Sequence, residues 1–549
     1  MAQAGRSFLP LIDLSATRQQ TTNLGSILWF EMRRQPKSIP TPDLLRSVVK
    51  VLTVSDDPDY DQPWQTRGPS SSTGSGAIVK TKRGLRVLTN AHVVQNQVFV
   101  EVRRHGLSEK YAAEVEGVGH ECDLALLRVD NREFFAGAKA IPLGKLPALS
   151  EHVSVLGYPI GGERLSVTQG VLSRIEVTSY AQSQRRLLAG QIDAAINAGN
   201  SGGPVVRNGR LVGVAFQSLE EGENIGYMIA EPVVRHFLDD LDDGRFDGFP
   251  DLGAVTRNLE SEAHRRSLGL TEPHGVLVSD VVYGGSGWGA LKRGDVLLEV
   301  DGTKIAADGT VPFPRGSRID YAYVVSLHHV GDRLDLKVWR DHRTVNLNVE
   351  LVQPQHLVAE DRYDVKPTYY IFGGLLFVPL TRDYLKTWGQ HWWAHAPHPL
   401  MAKYETSIRT PAQHEVVVLQ KVLADPVNLG YHDLESVEVV RVQGKAIRGL
   451  DDLIRAVETD TSEFLSFETA DGSVVVLNRE QSIARLPHIM RRFGVPRDRS
   501  ADLNGKRPSP QEAPKLAKAA ARRPSRHPLA KTRRRPSKPP PKRRAPRSA

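Results

Sequence analysis

The stretch INAGNSGGPVV, Ile196–Val206, places one serine among three glycines and an asparagine and then returns at once to apolar residues. Because glycine adopts backbone angles that other residues avoid, the segment Gly199–Gly203 is typical of a tight loop between two strands. An ordinary hairpin turn is the alternative that this pentapeptide alone leaves open. The partners that the rest of the chain supplies for Ser201 decide between the two.

The chain around this loop consists of short β-branched runs. From Leu45 to about Pro232, runs such as VVKVLTV, RVLTNAHVV and DLALLRV alternate with Gly, Asn and Asp. Strands at this spacing, with almost no helical periodicity between them, favour antiparallel barrels or a sandwich. We therefore predict a mainly-β fold for this part of the chain.

Two residues in this region are candidate partners for the serine. His92 directly follows an apolar strand, and Asp123 begins another, where an unpaired carboxylate would be costly. Taken singly, His92 is more often a structural or exposed residue, and Asp123 a strand cap. Together, in the chain order His92, Asp123, Ser201, they favour a catalytic triad, since a serine hydroxyl needs a base and the base needs an orienting group.

The residues around these three positions resemble a known family. TNAHVV around His92, DLALL from Asp123 and GNSGGP around Ser201 resemble the three catalytic blocks of the HtrA/Deg serine proteases. The motifs GYPIGG, VTQGVLSR and NIGYMIA extend the resemblance, which covers nearly all of residues 45–495 and is nearer to the plant-type Deg branch. It implies a chymotrypsin-like double β-barrel in residues 45–245, followed by two PDZ domains.

The resemblance also implies an activity. The protein would be an ATP-independent, homo-oligomeric serine endopeptidase that degrades unfolded or damaged proteins and needs no metal or other cofactor. Ser201 would be the nucleophile, His92 the general base and then acid, and Asp123 the group that orients the imidazole. A PDZ-based holding chaperone with weak or switched-off proteolysis is the alternative.

The same resemblance places the remaining parts of the site. The backbone N–H groups of Gly199 and Ser201, with Asn200 between them, would form the oxyanion hole. The primary specificity pocket would be lined by Ala194, Ala195 and Ile196. Because Ile196 leaves no charge there to select Lys or Arg, we expect cleavage after small or medium apolar residues.

Two downstream regions, residues 250–355 and 366–495, contain a diverged repeat. DVLLEVDGTKI and VEVVRVQGKAI both read as a strand, an x-Gly turn and the start of another strand. In the first region, SLGL would offer the amides of Leu268, Gly269 and Leu270 to a peptide carboxylate, while the following strand adds the peptide to a sheet edge. An ordinary turn before a strand is the alternative, and the second region shows no equally convincing carboxylate loop.

Composition and charge bound the remaining possibilities. The 549 residues are 40% apolar and 25% charged, as in an ordinary globular protein, and the single Cys122 excludes an intrachain disulfide. No apolar run is long enough to span a membrane. The formal charge of +9 is uneven, because residues 505–549 hold 16 Lys and Arg against one acid.

The two ends of the chain carry separate expectations. Residues 496–549 are rich in Pro, Ala, Lys and Arg, which predicts a disordered tail. Its basic part could bind nucleic acid or an import receptor, and a solubilising tail without a specific ligand is the alternative. Residues 1–44 form an extension without the residue order of a secretory signal, so we expect a cytoplasmic or nuclear location, with organelle import left open.

Overall fold

A computed structural model describes residues 41–218 and 226–503 of the chain. The described residues form two closed barrels followed by a six-stranded, a two-stranded and a seven-stranded sheet, all antiparallel, which confirms the predicted mainly-β fold. The expectations for most of the N-terminal extension and for the basic tail, residues 505–549, lie outside the described residues. Within the described ranges, no helix is long and apolar enough to cross a bilayer.

The first barrel closes in the order β1-β2-β3-β6-β5-β4. Its strands are β1 (Val48–Pro58), β2 (Thr66–Thr81), β3 (Gly84–Thr89), β4 (Gln97–Arg104), β5 (Tyr111–Gly119) and β6 (Leu124–Arg128). The alternating residues Val49 and Val51 of β1 pack inside it against Ile78 and Val87. A short helix, Pro42–Leu45, precedes β1, a second one, Ala91–Val94, follows β3, and the 3₁₀ helix His120–Cys122 precedes β6.

The second barrel closes in the order β10-β11-β12-β9-β8-β7. Its strands are β7 (His152–Gly157), β8 (Ser166–Ser179), β9 (Arg186–Ile192), β10 (Pro204–Arg207), β11 (Arg210–Ser218) and β12 (Gly226–Ala230). The helix Glu231–Asp240 closes this domain, and its buried Phe237 packs against Phe246 of the segment that follows. The glycine-rich serine loop lies between β9 and β10.

The first PDZ-like domain has a sheet in the order β13-β14-β15-β19-β20, with β16 paired to β15 and a separate β17–β18 pair. Its strands are β13 (Ala254–Asn258), β14 (Val276–Val281), β15 (Val296–Val300), β16 (Thr303–Lys304), β17 (Thr310–Pro312), β18 (Arg318–Asp320), β19 (Arg333–Arg340) and β20 (Arg343–Glu350). Its helices are Glu262–Ser267 and Ala322–Ser326.

The second PDZ-like domain has a sheet in the order β21-β22-β23-β24-β26-β27, with β25 paired to β24. Its strands are β21 (Tyr370–Phe372), β22 (Leu375–Pro379), β23 (Val417–Val422), β24 (Val437–Val442), β25 (Lys445–Ala446), β26 (Phe464–Thr469) and β27 (Val474–Asn478). Its helices are Arg382–Leu385, Trp392–His395, His398–Thr406, Leu450–Thr459 and Arg479–Phe493.

The repeat read from the sequence forms the same local structure in both domains. The turn between β15 and β16 holds Asp301 and Gly302 at φ values of 47° and 70°, and the turn between β24 and β25 holds Gln443 and Gly444 at 52° and 71°. Two successive positive φ values are what a two-residue hairpin turn requires, and glycine at the second position meets that need without strain.

The second PDZ-like domain continues past residue 495, so the expectation of disorder from residue 496 is wrong for residues 496–503. The backbone carbonyl of Asp498 accepts a hydrogen bond from the N–H of Ile371 at 2.7 Å, and Arg499 pairs with Tyr370 as a β-bridge. This segment has few apolar side chains, but its main chain pairs with β21, which composition does not reveal.

A loop of the first barrel packs against the second PDZ-like domain. This docking loop, residues 59–65, connects β1 to β2 and places the ring of Trp64 edge-on to Tyr369, with centroids 5.9 Å apart. Gln420 Nε2 donates to the carbonyl of Asp61 at 2.9 Å, and Lys421 Nζ lies 2.7 Å from the Asp61 carboxylate. The two domains therefore share a contact between residues far apart in the chain.

Candidate active site

His92 and Asp123 are brought together by the pairing of β3 with β6, in which Thr89 lies opposite Ala125. Asp123 Oδ2 lies 2.7 Å from His92 Nδ1, and Asp123 Oδ1 accepts the backbone N–H of His92 at 2.9 Å. The carboxylate side chain is 2% exposed and the imidazole 30%. The two contacts fix the ring so that its other nitrogen, Nε2, faces away from the carboxylate.

The electrostatics of this pair raise the pKa of the imidazole. Burial lowers the pKa of His92, while the charge of Asp123 and its hydrogen bond raise it, and the net pKa lies above the ordinary value of 6.5. Asp123 has a φ of 53°, a left-handed conformation that is uncommon for a residue other than glycine. Its N–H donates to the His120 carbonyl at 3.2 Å, and its carbonyl accepts from Asn90 Nδ2 at 2.8 Å.

The serine loop packs against the end of β3 that leads to His92. The Ser201 carbonyl accepts the N–H of Ser75 at 2.8 Å, and the Gly202 N–H donates to the Ala215 carbonyl at 2.9 Å. A Cβ atom on Gly202 would overlap the Ser75 carbonyl oxygen and the Thr89 hydroxyl, so this close approach requires glycine. In the part of the chain that the structure describes, no hydrogen bond joins the Ser201 hydroxyl to His92, as is common before substrate binds.

Gly199 has a φ of 94°, and its backbone orientation is set by the loop that follows β7. The carbonyl of Ala198 accepts the N–H of Ile160 at 2.7 Å. Because the C=O and N–H of one peptide unit point in opposite directions, the Gly199 N–H points away from Ile160. A Cβ atom at position 199 would lie 2.5 Å from the Tyr158 carbonyl oxygen, so the space as well as φ excludes a side chain.

The amides of Gly199 and Ser201 have no acceptor among the described residues, whereas the intervening Asn200 N–H donates to the Asn197 carbonyl at 2.9 Å. Two free N–H groups, one residue apart on a glycine-rich turn, are the donors that an oxyanion hole needs. Asn200 is buried, and its Oδ1 lies near Gly157 without a partner in the described chain. Its side chain therefore points into the protein, and Asn200 offers the site only its place in the backbone.

Ser75 is a residue of this site that the sequence analysis missed. Its hydroxyl is fully buried, donates to the Gly199 carbonyl at 2.7 Å and accepts the N–H of Tyr158 at 2.8 Å. It thereby joins the loop of the free amides to the loop after β7. The available signal was a serine between two glycines directly before the apolar residues Ala77, Ile78 and Val79, where a buried hydroxyl must find partners.

The predicted specificity pocket is only partly matched by the structure. Ala194 is fully buried in the core of the second barrel, together with Val153 and Leu172, so its side chain belongs to the core and not to an open pocket wall. Ala195 is half-buried, and its carbonyl accepts the Thr168 hydroxyl at 3.1 Å. Ile196 is mostly buried beside Gly226, which begins β12.

Comparison with known proteins identifies the family. Residues 74–214 match the trypsin-like peptidase domain, and residues 358–502 match the PDZ domain. Protease Do-like 2, chloroplastic, of Arabidopsis thaliana is 39% identical over 477 residues, which are 86% of this chain and 78% of that protein. The chain belongs to the Do-like protease family. Putative protease Do-like 3, mitochondrial, of the same plant is 37% identical over 464 residues, 84% of this chain and 81% of that protein.

The chain is a serine endopeptidase with a trypsin-like double barrel and a PDZ domain, which confirms the HtrA/Deg resemblance and the predicted activity. The holding-chaperone alternative is not favoured. Among solved structures, the HtrA-type protease AlgW with decapeptide is 24% identical, with a TM-score of 0.44, over 57% of this chain and 97% of that chain.

The expectation of a cytoplasmic or nuclear location is wrong. The Arabidopsis relatives Do-like 2, Do-like 3 and Do-like 4 are named as chloroplastic, mitochondrial and mitochondrial proteins. The expectation rested on the missing residue order of a secretory signal. Organelle transit peptides are Arg-rich and Ser-rich amphipathic segments without that order, so its absence does not argue against them.

The prediction of a carboxylate loop at residues 268–270 is also wrong. The backbone N–H groups of Leu268, Gly269 and Leu270 all donate to carbonyls of the helix Glu262–Ser267, at 2.9 to 3.3 Å. They form its C-terminal cap and have no hydrogen left for a peptide carboxylate. Leu270 is buried with Val296 and Leu298.

The strand that would extend a bound peptide lies elsewhere in the first PDZ-like domain. The strand after SLGL is β14, which is flanked by β13 and β15 and has no free edge. One of the two edge strands of this sheet is β13, which pairs with β14 alone among the described strands. Thr256 of β13 contacts the hydroxyl of Tyr321 at 3.1 Å, just before the helix Ala322–Ser326.

Proposed function

We propose that this protein hydrolyses peptide bonds through an acyl-enzyme formed on Ser201. His92 Nε2 accepts the proton of the Ser201 hydroxyl while Oγ attacks the carbonyl carbon of the scissile bond. His92 then gives this proton to the leaving amine, and a water molecule cleaves the acyl ester by the same route. The observation that carries the proposal is the 2.7 Å contact between His92 Nδ1 and a buried Asp123 carboxylate.

In this scheme Asp123 stays ionised and holds the imidazole in the orientation that presents Nε2 to the serine. The free N–H groups of Gly199 and Ser201 stabilise the negative oxygen of the tetrahedral intermediate. Their orientation before substrate binds supports this assignment, since a preformed pair of donors needs no rearrangement during the reaction.

We propose unfolded or damaged proteins as substrates, cleaved after small or medium apolar residues. Support comes from Ala195 and Ile196, which place no charge at the predicted pocket. The free edge of β13 supports a role of the first PDZ-like domain in holding an extended segment of the substrate.

The biological setting is proposed from the relatives. We propose a homo-oligomer that works inside a chloroplast or a mitochondrion. The names of the Arabidopsis relatives give these two compartments for those proteins. Fractionation of cells that express the full chain with a C-terminal tag tests the location, and light scattering of the purified protein tests the assembly.

The basic tail, residues 505–549, remains the candidate contact for nucleic acid or an import receptor, on the basis of its composition alone. Deleting it is expected to abolish salt-sensitive binding to nucleic acid and to leave peptide cleavage unchanged. If the full chain binds no nucleic acid at low salt, the nucleic-acid role is excluded. Binding of an import receptor and a solubilising role then remain for the tail.

The proposed mechanism is tested by degradation of β-casein without ATP. The wild type is expected to cleave, and Ser201→Ala to be inactive. Ser173→Ala, at an exposed serine of β8 in the same barrel, is the matched control and is expected to cleave like the wild type. If Ser201→Ala retains activity, the assignment of the nucleophile is wrong. If neither the wild type nor Ser201→Ala cleaves β-casein and both prevent the aggregation of an unfolding protein, the proposed mechanism is wrong and the holding-chaperone alternative replaces it.

A further inference from the structure

The connection between the two PDZ-like domains passes the end of the first barrel that carries His92. The Asp364 Oδ1 atom accepts the backbone N–H of Asn96 at 2.6 Å, and the Asn96 Oδ1 atom accepts the backbone N–H of Asp364 at 2.8 Å. Asn96 follows the helix Ala91–Val94 by two residues. Two hydrogen bonds therefore join the connection to the segment that follows the His92 helix in the chain.

The other oxygen of the same carboxylate contacts the segment that leads to Asp123. Asp364 Oδ2 lies 2.7 Å from His120 Nε2. His120 begins the 3₁₀ helix His120–Cys122, and its carbonyl accepts the N–H of Asp123. One side chain thus bridges the backbone segments of both His92 and Asp123.

Tyr363 adds a third segment to this arrangement. Its ring packs on the ring of His120 with centroids 4.5 Å apart, and its hydroxyl donates to the Gln182 carbonyl at 2.8 Å. Gln182 lies in the loop between β8 and β9, and its Nε2 donates to Gln95 Oε1 at 2.8 Å. Gln95 directly follows the helix that carries His92. The loop of the second barrel is therefore hydrogen-bonded to the same segment that Asp364 contacts.

The connection is anchored firmly at its other end in the second PDZ-like domain. The N–H of Arg362 donates to Asp383 Oδ2 at 2.7 Å. The Asp361 carboxylate is buried and forms ion pairs with Arg382 and Lys386, which lie in and directly after the helix Arg382–Leu385. A displacement of this domain is therefore transmitted to Tyr363 and Asp364.

The segments that carry the two catalytic side chains have little regular structure of their own. The helix Ala91–Val94 has four residues and no side-chain cap, and Asp123 stands in a left-handed conformation after a three-residue 3₁₀ helix. Such short segments are positioned by outside contacts more than by their own hydrogen bonds. The contacts of Tyr363 and Asp364 supply that positioning from the second PDZ-like domain.

We propose that Tyr363 and Asp364 are positioning residues for the His92–Asp123 pair, so that the rate of peptide hydrolysis depends on the seating of the second PDZ-like domain. This inference rests on the proposed roles of His92 and Asp123. Neither positioning residue acts on substrate directly. The pairing of β3 with β6 brings the two segments together, and Tyr363 and Asp364 hold them in place from the outside. A misplacement of about 1 Å between such segments lowers the rate by roughly 100-fold.

The test compares kcat and KM of the full chain on a short internally quenched peptide with an apolar residue before the cleaved bond. Asp364→Ala removes both bridges and is expected to lower kcat by about 10- to 100-fold with KM within about twofold of the wild type. Asp364→Asn keeps an oxygen for the Asn96 N–H and loses the negative charge beside His120, so its kcat is expected to be intermediate. Tyr363→Phe keeps the ring contact and loses the hydroxyl, and a smaller decrease is expected.

Asp61→Asn is the matched control. This variant makes the same chemical change as Asp364→Asn. Asp61 also lies between the first barrel and the second PDZ-like domain, where it pairs with Lys421, but it contacts neither the segment of His92 nor that of Asp123. Its kcat is expected to stay within about twofold of the wild type. Thermal unfolding of each variant shows whether the chain remains folded, and His120→Gln combined with Asp364→Asn forms a double-mutant cycle in which the two decreases in kcat should not add.

The positioning role is overturned if folded Asp364→Ala keeps kcat within twofold, if KM rises with kcat unchanged, or if Asp61→Asn lowers kcat as much as Asp364→Asn. Failure of the proposed mechanism looks different: Ser201→Ala would then hydrolyse the peptide as fast as the wild type. A wild type that cleaves, an inactive Ser201→Ala and unaffected Asp364 variants would overturn the positioning role alone.

Discussion

Replacing Ser75 by alanine removes one hydroxyl from beneath the free amides of the site. That hydroxyl donates to the Gly199 carbonyl and accepts the Tyr158 N–H, and it is fully buried, so water does not replace it. The methyl group of alanine fits the same space. The substitution therefore isolates the two hydrogen bonds from any change in packing.

The expected magnitude follows from the two backbone groups that lose their partner. Leaving one buried polar group unsatisfied costs about 1–3 kcal/mol, so two cost about 2–4 kcal/mol if the loops relax in part. If all of this energy appears as displacement of the Gly199 amide, kcat falls by about 30- to 700-fold, since about 1.4 kcal/mol corresponds to a factor of ten. If the loops keep their positions, the free energy of unfolding falls by the same amount instead.

The assay measures kcat and KM on a short peptide and, in parallel, urea unfolding of Ser75→Ala. Ser70→Ala, at an exposed position of the same strand β2, is the control; among the described residues its hydroxyl contacts only the Ser55 hydroxyl, at 3.1 Å. We expect Ser70→Ala to change the free energy of unfolding by less than about 0.5 kcal/mol. The reasoning is refuted if Ser75→Ala keeps kcat within twofold and the free energy of unfolding within about 0.5 kcal/mol of the wild type.

Three further predictions concern the oxyanion loop, the imidazole and the second PDZ-like domain. Gly199→Ala puts a methyl group 2.5 Å from a backbone oxygen at a positive φ, and kcat is expected to fall at least about 100-fold in steady-state kinetics; a normal kcat would show that this amide takes no part. Because the base must be neutral and the pKa of His92 is raised above 6.5, kcat/KM is expected to increase with pH through a midpoint above 6.5. Asp123→Asn should move this midpoint to lower pH and reduce kcat by about 10⁴-fold. An unmoved midpoint in the pH–rate profile would show that the Asp123 carboxylate does not raise the pKa of His92. Phe467→Ala empties a buried site beside Phe377, whose ring centroid lies 5.3 Å away, and should lower the free energy of unfolding of this domain by about 3–5 kcal/mol; a loss under about 1 kcal/mol in urea would contradict the packing.

The sequence predicted those parts of the protein whose signal is local. His92, Asp123 and Ser201 each stand in a distinct motif at a strand end, and the turns at Gly302 and Gly444 follow from a residue type that their φ values require. The meeting of His92 with Asp123 needed only the assumption that their strands pair. The roles of the three residues remain predictions until the variants are measured.

The parts that the sequence did not predict depend on distant partners. SLGL fits both a helix cap and a binding loop, and only the preceding helix decides for the cap. Ser75 is one of several small polar residues of β2, and its importance lies in contacts 83 and 124 residues away. Asp364 meets Asn96 and His120 across 268 and 244 residues, and no periodicity or composition of either segment records such a contact.

The docking loop has a consequence for the nascent chain during synthesis on the ribosome. Its residue Tyr60 receives a hydrogen bond from Gln420, which the ribosome adds 360 residues later. At about 5–20 residues per second, roughly 20 to 70 seconds pass between the synthesis of the two. During that interval Trp64 and Tyr60 have no cover from the second PDZ-like domain, and a nascent chain that stops early keeps both rings in water. An unfinished chain is therefore marked by an aromatic patch that the completed protein hides.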